Sequence, residues 1–332
     1  MSKKIYNFNQ ANLVDTVLFF DIDDTLIRNG EFRINTVIEA ILQSKEIEPA
    51  VKKKIVDGLK TVSSDIKGKF IDDYFRSIEE KVVQILINSG LKIKFDDQGK
   101  LLENKIITEI ITSAKEILAD HESIQENGFT KKSPNMVLGA FELLAQLHES
   151  GAKLVLWTYG KTKTQQGHLK KLIAGNENLE FLNGAIDLLK GRDAFGDNQA
   201  KPHLEHFEQA LLDNKIDYNN IKNLFFVDDS PYTIEVFQYI AAAAGEKYTK
   251  LIEDSKILFV DTLGGEGRHK KFYDKILKTA KKKNVDEDSF SIHDVCSNPM
   301  GLNLLWKTIN NPASDENVLM SGEEPESKVD FE

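Results

Sequence analysis

The sequence is poor in the features that mark several classes of protein. Of its 332 residues only Cys296 is a cysteine, so no disulfide can form within the chain, and a reducing, cytoplasmic compartment is expected. No apolar run approaches the roughly 20 residues that cross a bilayer, and the amino end carries no apolar stretch of the kind found in secretory signals. We therefore expect a soluble protein without a transmembrane segment.

An excess of positive charge is also missing. The chain has 43 Lys and Arg against 53 Asp and Glu, which gives a formal net charge of −10. Because phosphate backbones are bound by concentrated positive charge, this balance argues against a nucleic-acid partner. Hydrophobic residues make up 41% of the sequence, enough for the packed core of one large domain or two ordinary ones.

One stretch joins a buried strand to a group of carboxylates. Residues 17–20 are Val-Leu-Phe-Phe, and Asp21, Asp23 and Asp24 follow within four positions. Four consecutive apolar residues are typical of a strand that is buried on both faces in a parallel sheet. Like charges pack together only when a cation lies between them, and a hard divalent cation with oxygen ligands, most often Mg²⁺, is the usual one. The stretch therefore predicts a metal site at the end of the first strand.

Three further apolar runs end on polar residues. They cover 153–157, 223–227 and 256–260, and they are followed by Thr158, Asp228 and Asp261. Helical spacing at about 202–212 and 232–244 supplies the crossovers that parallel strands need. In an open parallel α/β sheet the ligand crevice lies beyond the carboxyl ends of the strands, so we expect these polar residues to meet there.

The motifs together resemble those of the haloacid dehalogenase superfamily. Asp21-Ile22-Asp23-Asp24-Thr25, Thr158 after a strand, Lys201 before Pro202, and Asp228-Asp229 after another strand match the four motifs of that family in order. The resemblance covers about residues 12–28 and 130–265. It implies an α/β, Rossmann-like parallel sheet with an inserted cap, and the phosphatase branch of the family, because an aspartate stands at position 23.

The resemblance also implies roles for individual residues. Asp21 would attack phosphorus and form an aspartyl-phosphate, and Asp23 would serve as the general acid and base. Thr158 and Lys201 would bind the phosphoryl oxygens, with Lys161 and Lys163 as competing lysines. Mg²⁺ would be held by Asp21, by the main-chain carbonyl of Asp23 and by the pair Asp228 and Asp229. The resemblance leaves open which member of that pair binds the metal directly.

The expected domain organisation follows the motifs. Residues 1–28 and 130–311 form the α/β core, and residues 29–129, with apolar residues at helical spacing, form a mostly helical cap. Residues 312–332 are acidic and turn-rich, which predicts a disordered tail. Arg28, Arg33, Tyr74 and Arg76 are candidate substrate contacts, although a structural or solvent-facing role is favoured for each of them.

The sequence leaves the substrate and the cellular role open. The substrate is a phosphorylated small molecule or a phosphoprotein. The glutamates in 321–332 are similar to the carboxy-terminal export signal of type IV-secreted bacterial effectors, so one alternative is a phosphatase translocated into a host cell. Another is a non-catalytic binding protein with the same fold. The basic run 268–283 is expected to pack on the core as an amphipathic helix rather than to touch a membrane surface, and His168, His203 and His206 are expected on helix surfaces.

Overall fold

The computed structural model describes residues 12–45, 47–62, 71–88, 90, 92–98, 102, 104–194, 204–243, 255–262 and 268–310. The predicted tail at 312–332 lies outside these residues, and so do Lys201 and His203. Across the part of the chain so described, no helix is both long and apolar enough to span a bilayer.

A five-stranded parallel sheet forms the centre of the molecule. Its strands are β1 (Thr16–Phe20), β2 (Lys153–Leu156), β3 (Asn223–Asp228), β4 (Lys256–Asp261) and β5 (Phe290–Asp294), in the spatial order β2-β1-β3-β4-β5. Every neighbouring pair is parallel. The predicted parallel α/β fold is therefore confirmed, and the four apolar runs form the first four strands. The fifth strand, Phe-Ser-Ile-His-Asp, is mostly half-buried at the sheet edge and lacks the continuous apolar run that marks the others.

Helices surround the sheet. Four follow β1 directly, namely α1 (Asn29–Gln43), α2 (Pro49–Val62), α3 (Ile71–Asn88) and α4 (Lys105–Glu122). Those after them are α5 (Ala140–Glu149), α6 (Thr162–Ile173), α7 (Leu182–Leu188), α8 (Leu204–Asp213), α9 (Thr233–Ala243), α10 (Arg268–Lys283) and α11 (Leu305–Asn310).

Among the described residues, the apolar core is divided into three clusters. Leu18 and Phe20 point into a cluster on one face of the sheet, while Val17 and Phe19 point into a cluster on the other. This alternation follows from the two-residue period of a strand. The Phe19 ring lies 5.1 Å from the Phe207 ring and meets Trp157 edge-on at 4.8 Å.

The third cluster is formed almost entirely by α1–α4, with Ile47 from the connection between α1 and α2. It includes fully buried residues from each helix, among them Val37, Ile55, Ile78 and Ile110. A group of helices that buries its own apolar faces against one another has a core independent of the sheet. The assignment of 29–129 to a separate cap remains a prediction, and this cluster supports it.

The basic helix lies where the sequence predicts, whereas two histidines do not. Ile276 and Ala280 of α10 are buried in the cluster that contains Phe19, so this helix packs on the core. The expectation of surface positions is wrong for His168 and His206, which are 0% and 3% exposed. The ring of Phe32 from α1 covers His168 at 5.9 Å, a tertiary contact that helical spacing alone does not reveal.

Candidate active site

The register of the sheet places the predicted strand-end residues side by side. Phe20 of β1 pairs with Leu156 of β2 on one side and with Val227 of β3 on the other. The next residues along the chain are therefore neighbours at the carboxyl edge of the sheet. The backbone N–H of Asp21 donates to the carbonyl of Val227 at 2.9 Å, which extends the strand pairing into the site.

Three carboxylates meet at this edge. Oxygens of Asp21, Asp228 and Asp229 all lie within 4.8 Å of one another. Asp21 and Asp228 are 7% and 4% exposed, so their negative charges are held together largely out of water. Such a set of hard oxygen donors fits a divalent cation of the Mg²⁺ type, which would offset the repulsion. Both members of the 228–229 pair belong to the group, so the geometry does not single out one of them.

The carboxylate of Asp23 is not one of the three clustered carboxylates, and two amides hold it in place. Gln165 on α6 donates through Nε2 to both carboxylate oxygens of Asp23 at 2.9 Å, and Asn29 at the start of α1 donates to Oδ1 at 2.9 Å. Burial raises the pKa of the Asp23 carboxyl above its usual value, while the charge of Arg33 and the hydrogen bond from Gln165 oppose that rise. A raised pKa suits a group that has to carry a proton and give it up.

The turn after β1 is held in an unusual backbone conformation. Asp24 has φ of +60°, in the left-handed region that residues other than glycine rarely adopt. Its carboxylate accepts from the N–H of Gly30 at 2.9 Å, and its carbonyl accepts from the buried hydroxyl of Thr262 at 2.6 Å. These bonds fix the path that carries Asp23 into the site.

The other residues predicted for the site are Thr158, the candidate lysines and Asp261. Thr158 is fully buried two residues after the end of β2, and its hydroxyl oxygen accepts from the N–H of Gly160 at 2.9 Å. Lys201 lies outside the described residues, whereas the competing Lys161 and Lys163 are exposed near the start of α6. Asp261 ends β4, and its Oδ2 lies 3.4 Å from Nδ1 of His269.

The candidate substrate contacts divide into two kinds. Arg28 forms a surface ion pair with Glu31 at 3.4 Å, and Arg76 is exposed. Arg33 and Tyr74 face inward, with the guanidinium carbon of Arg33 5.7 Å from the centre of the Tyr74 ring. Burial raises the pKa of Glu122, at the end of α4, and the charges of Arg33 and Asp23 act on it in opposite directions.

Sequence reasoning missed several residues that shape this site. Gln165 and Asn29 hold Asp23, Thr262 holds Asp24, and Glu122 lies close enough to Asp23 for their charges to interact. These residues belong to no motif, and polar side chains of their types are common on helix surfaces. The one available signal is position, because Thr262 directly follows the strand end at Asp261.

Comparison with known proteins places the chain in a family. A model of the haloacid dehalogenase-like hydrolases matches residues 16–240, which contain β1–β3 and most of the site. No curated protein matches the sequence.

Distant likenesses are found among solved structures. They include a provisionally named phosphatase from Clostridium difficile, with 15% identity over 84% of this chain and 94% of that chain and a TM-score of 0.45. CbbY from Rhodobacter sphaeroides in complex with phosphate has 12% identity over 76% and 92%, with a TM-score of 0.35. A HAD hydrolase of family IA, variant 3, from Entamoeba histolytica has 11% identity over 80% and 99%, with a TM-score of 0.37. At such distances these structures have no bearing on substrate.

Proposed function

Because the chain belongs to the haloacid dehalogenase-like hydrolases, we propose that it is a Mg²⁺-dependent phosphomonoester hydrolase that works through an aspartyl-phosphate. The observation that carries this proposal is the meeting of Asp21, Asp228 and Asp229 at one edge of the sheet, with Asp23 held beside them by two amides. The first group supplies a nucleophile and a cation site, and the second supplies an acid.

The proposed reaction has two displacements. A carboxylate oxygen of Asp21 attacks phosphorus, the bond from phosphorus to the leaving oxygen breaks, and Asp23 gives its proton to that oxygen. Asp23 then takes a proton from water, whose oxygen attacks phosphorus, releases phosphate and restores Asp21. The amides of Gln165 and Asn29 fix the Asp23 carboxyl in the orientation that both proton transfers need.

The negative charge of the carboxylates and of the phosphoryl group would be balanced by a metal ion and by side-chain donors. Mg²⁺, when held by Asp21, Asp228 or Asp229 and the carbonyl of Asp23, supplies positive charge beside the carboxylates and the phosphoryl oxygens. The hydroxyl proton of Thr158 remains available to a phosphoryl oxygen, because its oxygen is the acceptor in the bond from Gly160. Lys201 is assigned to the remaining phosphoryl charge on the strength of its motif alone.

The direct test is hydrolysis of an aryl phosphate. We expect Mg²⁺-dependent turnover that is abolished by a chelator and restored by added Mg²⁺. Asp21→Asn removes the nucleophile at nearly constant shape and should abolish turnover, whereas Asp187→Asn, an exposed aspartate on α7, is the matched control and should retain it. Full activity in Asp21→Asn would refute the nucleophile assignment, and an inactive wild-type protein would favour the non-catalytic binding alternative.

Export into a host cell is a separate hypothesis. It depends on residues 321–332, which lie outside the described residues, so no structural contact favours it. Deletion of 321–332 should stop translocation in a reporter assay and leave turnover unchanged if the segment is an export signal. Unchanged translocation would dismiss the hypothesis without affecting the hydrolase proposal.

A further inference from the structure

Helix α10 carries a charge opposite in sign to that of the rest of the chain. It contains eight Lys and Arg and one acidic residue, Asp274, which gives the helix a formal charge of +7. Since the whole chain carries −10, the remainder of the chain carries −17. Positive charge is therefore concentrated on one helix of an otherwise acidic protein.

Packing separates the apolar and the basic side of this helix. Ile276 and Ala280 are buried against the sheet, and Phe272 and Leu277 pack beside them. With about 3.6 residues per turn, the exposed lysines all fall on the half of the helix that faces away from Ile276. We call these six lysines the basic face: Lys270, Lys271, Lys275, Lys278, Lys281 and Lys282.

The protein itself does not neutralise the basic face. Within the described part of the chain, the ion pairs of α10 join His269 to Asp261 and Lys283 to Glu235, each at 3.4 Å, and none involves a lysine of the basic face. Like charges three or four positions apart destabilise a helix, and lysines in the first turn oppose its dipole. The needs of the helix therefore do not explain this arrangement, and it suits an anionic partner outside the chain.

The shape of the basic face indicates which kind of anion it fits. Lys270 and Lys282 are about 18 Å apart along the helix axis, and side chains on a convex helix surface cannot converge on one small ligand. The described exposed residues of this side include no arginine and no aromatic residue, the types that read or stack on bases in nucleic-acid sites. Lysine is a point charge on a flexible stem, and a lysine cluster on an amphipathic helix is typical of binding to anionic lipid headgroups.

We propose that the basic face of α10 is a docking surface for an anionic lipid bilayer. The core occupies the apolar side of the helix, so the lysines touch the headgroups and the helix does not insert. Negative charge elsewhere on the chain opposes the contact only weakly, because charges farther than about 8 Å are screened at physiological ionic strength. Packing on the core and contact with a membrane use opposite sides of the helix, so the two are compatible.

The test is sedimentation of the full chain with lipid vesicles. Vesicles of pure phosphatidylcholine are compared with vesicles that contain about 30% phosphatidylserine, at about 0.1 M and about 0.5 M salt. We expect binding only to the phosphatidylserine vesicles and its loss at the higher salt concentration. The measurement needs no turnover, so its result is independent of the proposed function.

Two sets of substitutions locate the contact. Each lysine contributes about fivefold to membrane partitioning, so replacing three of them should weaken binding about a hundredfold in the variant Lys271→Gln, Lys275→Gln, Lys278→Gln. The matched control removes the same charge from three exposed lysines of α2 and should bind like wild type: Lys53→Gln, Lys54→Gln, Lys60→Gln. Arginine at the three α10 positions keeps the charge and should retain binding.

Several results would overturn the proposal. Failure to bind phosphatidylserine vesicles would do so, as would equal losses in the two glutamine variants, since net charge rather than the position of the lysines would then decide. Equal binding to phosphatidylcholine, binding that persists at the higher salt concentration, or loss of binding in the arginine variant would contradict an electrostatic contact. Tighter binding to duplex DNA than to the vesicles, lost in the α10 glutamine variant, would assign the basic face to nucleic acid instead.

Discussion

His168 should make the stability of the protein depend on pH in a way that one substitution removes. It is fully buried on α6, beneath the ring of Phe32, and neither ring nitrogen has a hydrogen-bond partner. Burial lowers the pKa of His168 from 6.5 to about 4, and the charge of Arg33 acts in the same direction. The imidazole is therefore neutral in the folded protein over the whole physiological range.

The sign and size of the effect follow from linkage. Because the folded-state pKa lies below the unfolded value, the unfolded chain takes up the proton first as the pH falls, and stability is lost between about pH 6.5 and pH 4. One pKa unit corresponds to about 1.4 kcal/mol, so the full loss is about 3 kcal/mol, of which about 2 kcal/mol is reached at about pH 5.

The loss of stability at low pH can be measured by urea unfolding of the wild-type protein and of His168→Leu, each at about pH 8 and at about pH 5. The drop in unfolding free energy between the two pH values should be about 2 kcal/mol smaller in His168→Leu than in wild type. Other titrating groups, including His293, contribute to both proteins and cancel. His148→Leu, at an exposed position on α5, should keep the wild-type drop. An identical drop in wild type and His168→Leu would show that His168 does not carry a depressed pKa.

Three further changes test the packing and the positioning of the site. Gln165→Leu removes both hydrogen bonds to Asp23 and should lower kcat for an aryl phosphate by about ten- to a hundredfold with little change in KM; an unchanged kcat would mean that Asp23 needs no amide support. Thr262→Val deletes the donor to the Asp24 carbonyl at nearly constant volume and should cost about 1–3 kcal/mol in urea unfolding; no measurable loss would remove the hydroxyl from the account of the turn. Phe19→Ala should cost about 3–5 kcal/mol because the ring packs among Trp157, Phe207 and Phe226, and a loss below about 1 kcal/mol would contradict that packing.

The parts of the fold that local pattern determines could be predicted from the sequence. Strands buried on both faces leave unbroken apolar runs, so β1 to β4 and the crossover helices were predicted near their observed limits. The edge strand β5 has one neighbouring strand and is only five residues long, with apolar residues at Phe290 and Ile292 alone, so it lacks the continuous apolar run by which the other strands were predicted. Its existence depends on pairing with β4, which only the tertiary structure supplies.

In the candidate site too, some residues could be predicted from the sequence and others could not. Asp21 follows the end of β1 and Asp228 ends β3. These two carboxylates could be expected to meet, because the register of a parallel sheet brings the strand ends together. The two amides that hold Asp23 could not be predicted from the sequence. Asn29 and Gln165 are 136 residues apart (165 − 29), and they come together only when α1 packs near α6. Burial of His168 has the same origin.

The four helices with their own apolar core contact α6, and in the described part of the chain polar atoms on both sides, among them Arg33 Nε and Gln165 Oε1, are buried without partners. Each such atom costs about 1–3 kcal/mol while it is covered, and water satisfies it once the helices lift away. If α1–α4 form the separate cap that the sequence predicts, they could move as one body without unfolding, and the ligand-free protein would then populate an open arrangement. A bound substrate would oppose that opening, and release of the product would then depend on how quickly the helices reopen.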